Sequence, residues 1–255
     1  MIGRRPRDGI SRPAWLIIVG FSVMVAPPFA SHAAEPVCDV PGELMEVDGK
    51  LPHLAERLRA REPVKIVAVG GASTAGLAAG SPDLAYPRRM QEALARSFPE
   101  APITLVNKSV AHQTAAQMLE RFANDVFAEN PVLVIWETGT TDAVRGVDID
   151  SFAATLQSGI DGLAARGIDV ILVDMQFSHK TAAIIDLESY LKAMHRAGDV
   201  KDVYVFPRFA MMHYWSEQEI FDFDGVKKGE RATLAANVYH CLGRKLADAI
   251  RVALQ

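Results

Sequence analysis

The chain of 255 residues is poor in cysteine, with only Cys38 and Cys241. Two thiols so far apart, with no further Cys or His close to either, exclude a zinc-type metal site. There is no excess of positive charge either: 27 Lys and Arg stand against 31 Asp and Glu, a formal net charge of −4. That balance argues against nucleic acid or an anionic membrane surface as a partner. No internal repeat, low-complexity stretch or linker divides the sequence, which leaves one domain of comfortable size. No apolar run reaches the roughly 20 residues that a bilayer-spanning helix needs.

At the N-terminus, Arg4, Arg5, Arg7 and Arg12 precede an apolar run over 15–26, and Ser31-His32-Ala33 follows. Basic residues, a short apolar core and small residues at the two positions that signal peptidase reads predict a leader, 1–33, cleaved after Ala33. An uncleaved anchor is the alternative, disfavoured by the shortness of the run and by Pro27-Pro28 at its end. The leader holds four arginines and one aspartate, so its loss takes the net charge from −4 to −7. The mature domain, 34–255, is then expected in the periplasm or outside the cell, with no stable membrane span. An oxidising compartment makes a Cys38–Cys241 disulfide the favoured expectation over one buried and one exposed thiol.

Within 34–255, strand-like and helix-like runs alternate. Apolar segments at Val64–Val69, Ile103–Asn107, 132–136, Asp169–Val173 and 203–206 read as strands. Between them, stretches at 87–97, 114–128, 151–166 and 183–197, and a last one at 231–254, carry apolar residues at helical spacing. Nearly continuous apolar strands separated by helices predict a five-stranded parallel sheet covered on both faces, a three-layer α/β/α domain.

In such a sheet the loops after the strands gather at one edge, where clefts lie. Strand one runs straight into Gly70-Gly71-Ala72-Ser73-Thr74-Ala75-Gly76, a turn that puts a serine at that edge. The loops after strands two, three and four bring 107–114, 137–142 and 176–179 to the same rim.

These segments resemble, in order, the blocks of the SGNH/GDSL hydrolase superfamily. Gly70 to Gly76 looks like the first block, whose serine is the nucleophile. Val106-Asn107 with Gln113-Thr114 looks like the second, and Gly139-Thr140-Thr141-Asp142 like the third. Tyr86-Pro87 at the start of the first helix is also typical. The resemblance covers nearly the whole mature chain and implies a flavodoxin-like sheet and esterase- or lipase-type acyl transfer.

The chain departs from that pattern at three places. His112 stands where the family has a glycine whose N–H faces the oxyanion, and Thr141 where it has an asparagine. Loss of one oxyanion donor typically lowers the rate by about 10²–10³. In the last block, Asp222-Phe223-Asp224-Gly225-Val226-Lys227 places Lys227 where an Asp-x-x-His motif has its histidine, and alignment on the final helix gives Glu230 and Thr233 instead. A serine without a base is a poor nucleophile.

Ser73 is therefore the expected nucleophile, with His213 standing in as base beside Asp224. His112, Thr141 and Asp142 are the expected oxyanion and substrate-binding residues. Each has a plainer reading: Ser73 closing a turn, His213 packing in an aromatic rim, Asp142 bonding nearby backbone, Asp224 in solvent. His179 reads as a solvated loop residue, His195 and His240 as ordinary helix residues, and His53 lies before the sheet. Lys227 reads as solvated rather than as a base. No metal or organic cofactor is implied. The expected activity is hydrolysis of a small-molecule, glycan or lipid ester, with a cell-envelope molecule as one candidate. The alternative is a relative that has lost catalysis and binds a glycan, lipid or protein in the same cleft.

Overall fold

The structure, a computed structural model, describes residues 1–3, 9 and 36–255. The apolar run of the predicted leader and its cleavage point lie outside the described residues. Pro36–Gln255 form one compact unit.

Its strands are β1 (Val64–Val69), β2 (Ile103–Asn107), β3 (Leu133–Glu137), β4 (Asp169–Val173) and β5 (Val205–Phe206). They form one sheet in the order β2-β1-β3-β4-β5, with all four pairings parallel. The helices are α1 (Pro52–Arg59), α2 (Tyr86–Ser97), α3 (Ala115–Glu120), α4 (Phe122–Asp125), α5 (Thr140–Arg145), α6 (Ile149–Ala164), α7 (His179–Ala182), α8 (Leu187–Lys201), α9 (Arg208–Glu217) and α10 (Arg231–Ala253). The predicted flavodoxin-like α/β/α architecture is the one observed.

Successive residues of a strand point to opposite faces, and both faces here are buried. Ile66, Ala68, Leu133, Ile135, Ile171 and Val173 pack with Met90 of α2, Met211 and Trp215 of α9, and Leu242 and Leu246 of α10. Val67, Val69, Val134, Trp136, Val170 and Leu172 pack on the other face with Met118, Phe122, Phe152, Leu156 and Met194. This double burial is why the strands read as unbroken apolar runs. Two helices come unusually close to their neighbours. A Cβ on Gly159 of α6 would lie 2.4 Å from the Trp136 ring, and one on Gly243 of α10 would lie 2.6 Å from the Tyr86 carbonyl oxygen.

Cys38 and Cys241 are bonded, with their Cα atoms 5.0 Å apart. The bridge ties the segment before α1 to the middle of α10, and Asp39 adds a carbonyl that accepts from Trp215 Nε1 at 3.0 Å. Among the described residues, no helix is long and apolar enough to cross a membrane.

Several boundaries differ from expectation. The stretch expected as one helix over 114–128 is broken into α3, α4 and a short 3-10 turn. The segment after β5, not among the expected helices, is the helix α9. Arg208-Phe209-Ala210-Met211-Met212-His213-Tyr214-Trp215 is apolar on too many sides to show a helical stripe.

Candidate active site

The first turn after β1 is built around a carboxylate from another strand. Glu137, the last residue of β3, is 4% exposed. Its Oε2 accepts from the Gly71 N–H at 2.8 Å and from the Thr74 hydroxyl at 2.7 Å. Gly70 has to be glycine for that approach, since a Cβ there would meet Thr74 Oγ1 at 2.3 Å and Glu137 Oε2 at 2.9 Å. Asn107, at the end of β2, donates from Nδ2 to the Thr74 carbonyl at 2.7 Å and fixes the turn from the other side.

Ser73, 6% exposed, sits in this frame. Its Oγ accepts from Arg208 Nη1 at 2.8 Å and lies 3.4 Å from Glu137 Oε2, to which it donates. Arg208 opens α9 immediately after β5 and is 1% exposed. Its Nη2 lies 3.4 Å from Glu137 Oε1, so the two charges form a buried pair with the serine hydroxyl on it. Behind them, the Tyr86 hydroxyl is 3.0 Å from Thr74 Oγ1. Burial, with the Glu137 charge adding to it, holds the Tyr86 phenol well above its ordinary range, so it remains protonated. Since an ionised carboxylate only accepts, Thr74 donates to Glu137 and Tyr86 donates to Thr74.

A cleft of about 410 Å³ opens over Ser73, walled by Gly71, His112, Glu137, Thr141, Arg145 and Gln176 among others. His112 has φ +64°, a left-handed backbone that a glycine adopts without strain. Its carbonyl accepts from Arg145 Nη2 at 2.9 Å. Thr141 lies in the first turn of α5, on the cleft wall. Asp142 is buried, and both of its oxygens accept from the Ala115 N–H at 3.0 and 3.1 Å. Burial raises its pKa against the opposing pull of these backbone hydrogen bonds. Asp142 thus ties the third loop to the start of α3, the plainer of its two readings.

His213 and Asp224 stand apart. The His213 ring packs edge-on to Phe177 at 4.7 Å and is stacked on Phe209 at 6.4 Å, with Nε2 3.5 Å from Glu217. Asp224 is paired instead with His179, whose Nδ1 is 2.7 Å away. Placing the 208–217 segment in a helix turns His213 towards this aromatic cluster. Among the described residues, the hydrogen-bond partners of Ser73 Oγ are Arg208 and Glu137, with no imidazole between them. Among the described residues, no three His, Cys, Asp or Glu side chains group as metal ligands.

Glu137 and Arg208 are the site residues that sequence reasoning missed. One signal was present: an acidic residue directly after the apolar run 132–136. A charge at the end of a doubly buried strand needs a partner.

The model of the Non-GDSL lipase-like family matches residues 37–255. The chain belongs to the Non-GDSL lipase-like family. Solved structures that share this fold include a G-D-S-L family protein and esterases, the fold that its sequence blocks implied. A G-D-S-L family protein from Desulfitobacterium hafniense is 20% identical, with 73% of this chain and 99% of that one covered and a TM-score of 0.58. A two-domain esterase active on acetylated mannans is 17% identical at a TM-score of 0.65, covering 81% of this chain but 56% of that one. A catalytic mutant of an acetylxylan esterase from Geobacillus stearothermophilus is 17% identical, covers 73% and 94%, and has a TM-score of 0.60. At these identities the likeness is one of fold. Among curated proteins, none matches this Non-GDSL lipase-like chain.

Proposed function

We propose that this protein is an exported hydrolase of short-chain acyl esters with Ser73 as its nucleophile. The observation that carries the reading is the position of Ser73 Oγ. It faces a cleft at the carboxyl edge of the sheet, held at 2.8 Å by a buried guanidinium and at 3.4 Å by a carboxylate. A hydroxyl gripped between opposite charges is both oriented and supplied with a proton acceptor, which a serine that merely closes a turn does not need.

The backbone N–H groups of Ser73 and His112 and the hydroxyl of Thr141 would hold the oxyanion. His112 supports this by taking the glycine-like dihedrals of the position it occupies. His213 and Asp224 have no part in it, being engaged with Phe177 and His179.

The cleft favours a small acyl group on a polar alcohol, such as an acetyl ester of a glycan in the cell envelope. Its walls are mostly Gly, Ser, Thr and Gln, with Val144 their one branched aliphatic side chain, which leaves hydroxyl and amide groups to meet a polar alcohol. The named activities of the mannan and xylan esterases that share the fold point the same way. The basic, then apolar N-terminal residues and the Cys38–Cys241 bridge support export.

The second reading, a binding protein that uses the same cleft without turnover, draws on the lack of an imidazole beside Ser73. Hydrolysis of p-nitrophenyl acetate decides between them. Turnover above a Ser73→Ala control supports the esterase, and no difference from that control supports the binding protein.

A further inference from the structure

We propose that Glu137 is the proton acceptor for Ser73 and that Arg208 is its catalytic partner, the two together replacing the imidazole that the last block lacks. This rests on the reading of Ser73 as nucleophile.

The geometry supplies each part. Ser73 Oγ has a carboxylate oxygen 3.4 Å away on one side and a guanidinium nitrogen 2.8 Å away on the other. The oxygen–oxygen contact is long at rest and has to tighten when substrate binds, as catalytic hydrogen bonds in empty sites commonly do. The Arg208 N–H points at the lone pairs of Oγ and stabilises negative charge as it builds there, in a setting screened from solvent.

In the acylation step, Oγ bonds to the carbonyl carbon while its proton passes to Glu137 Oε2 and the carbonyl electron pair moves to the oxyanion. Collapse of that intermediate breaks the bond to the alcohol oxygen, which takes the proton from Glu137 and leaves. A water then attacks the acyl carbon, gives its proton to Glu137, and the second collapse expels Oγ. Oγ recovers that proton, and the carboxylic acid is released.

The groups facing Glu137 are few. Arg208 comes from α9, Tyr86 from α2 and Tyr239 from α10, with Asp174 beyond Arg208 at the end of β4. Burial pushes both phenols up, Tyr239 to about 12, so neither changes charge in the acid or neutral range. Thr74, fed by Tyr86, keeps Oε2 facing the serine.

The test is the rate at which a fluorophosphonate probe labels Ser73 in the disulfide-intact protein, followed by peptide mass. Glu137→Gln falls by about 100-fold or more, and Glu137→Asp, which keeps the carboxylate one methylene shorter, recovers part of it. A folded Glu137→Gln that labels within about 3-fold of the wild type overturns Glu137 as acceptor and leaves Ser73 standing. Loss of labelling in His213→Gln or His179→Gln but not in Glu137→Gln does the same. No labelling of the wild type at any pH overturns the serine reading and this proposal with it. Where Glu137→Gln fails to fold by circular dichroism, the histidine variants decide: His179→Gln and His213→Gln are expected to label within about 3-fold of the wild type, and loss of labelling in either overturns Glu137 as acceptor.

Discussion

Breaking the Arg208–Glu137 pair from one side should be far more damaging than removing it whole. The two side chains are 1% and 5% exposed and lie 3.4 Å apart. Glu137→Gln keeps an acceptor for the Gly71 N–H and the Thr74 hydroxyl but leaves the guanidinium buried without a counter-charge. Arg208→Met leaves the carboxylate in the same position. Each single change should cost about 3–5 kcal/mol, the range for stranding one partner of a buried pair. For a domain of this size about 2–4 °C is lost per kcal/mol, so the midpoint should fall by roughly 6–20 °C. The double variant Glu137→Gln/Arg208→Met removes both charges, and its loss should be well short of the two single losses added together. Urea unfolding followed by circular dichroism, run on all four proteins, gives the coupling directly. Single losses under about 1 kcal/mol, or strict additivity, would refute the claim that these charges are buried against each other.

Reduction, or Cys38→Ser with Cys241→Ser, opens a loop spanning 203 residues. It should cost about 2–5 kcal/mol in urea titrations, and an unchanged midpoint would contradict the bridge. His195, whose Nε2 is 3.2 Å from Asp174, is raised in pKa chiefly by that hydrogen bond. Its stabilising contribution is therefore complete below about 6.5 and fades as the pH rises through the raised value. The melting-point gap between wild type and His195→Gln should be wider at pH 6 than at pH 9, and a gap independent of pH counts against it. Gly159→Ala would force a methyl to within 2.6 Å of two Trp136 ring atoms. A loss of about 1–3 kcal/mol is expected on denaturant titration, whereas a gain would show that α6 stands off the sheet.

The fold was legible because its strands are buried on both faces and so carry their signal in composition alone. Even β5, only Val205-Phe206 in the sheet, stood out as part of an apolar run. α9 did not, because Phe209, Met211, Met212, Tyr214 and Trp215 spread apolar surface around the helix. The site was half legible. Ser73 and His112 lie in loops that follow strands and Thr141 in the first turn of α5 after β3, so their convergence on the cleft follows from parallel topology. Arg208 meets Ser73 across 135 residues and Glu137 across 71, and no local pattern records such a pairing. Asp224 has the same difficulty. Its partner could not be read from the last block, because His179 opens α7 after β4, 45 residues earlier.

That Ser73 is an activated nucleophile is tested most directly by stoichiometric reaction with a fluorophosphonate probe. One probe per chain is expected, located at Ser73 by peptide mass and abolished in Ser73→Ala. An intact, folded protein that takes up no probe at Ser73 would contradict an activated serine.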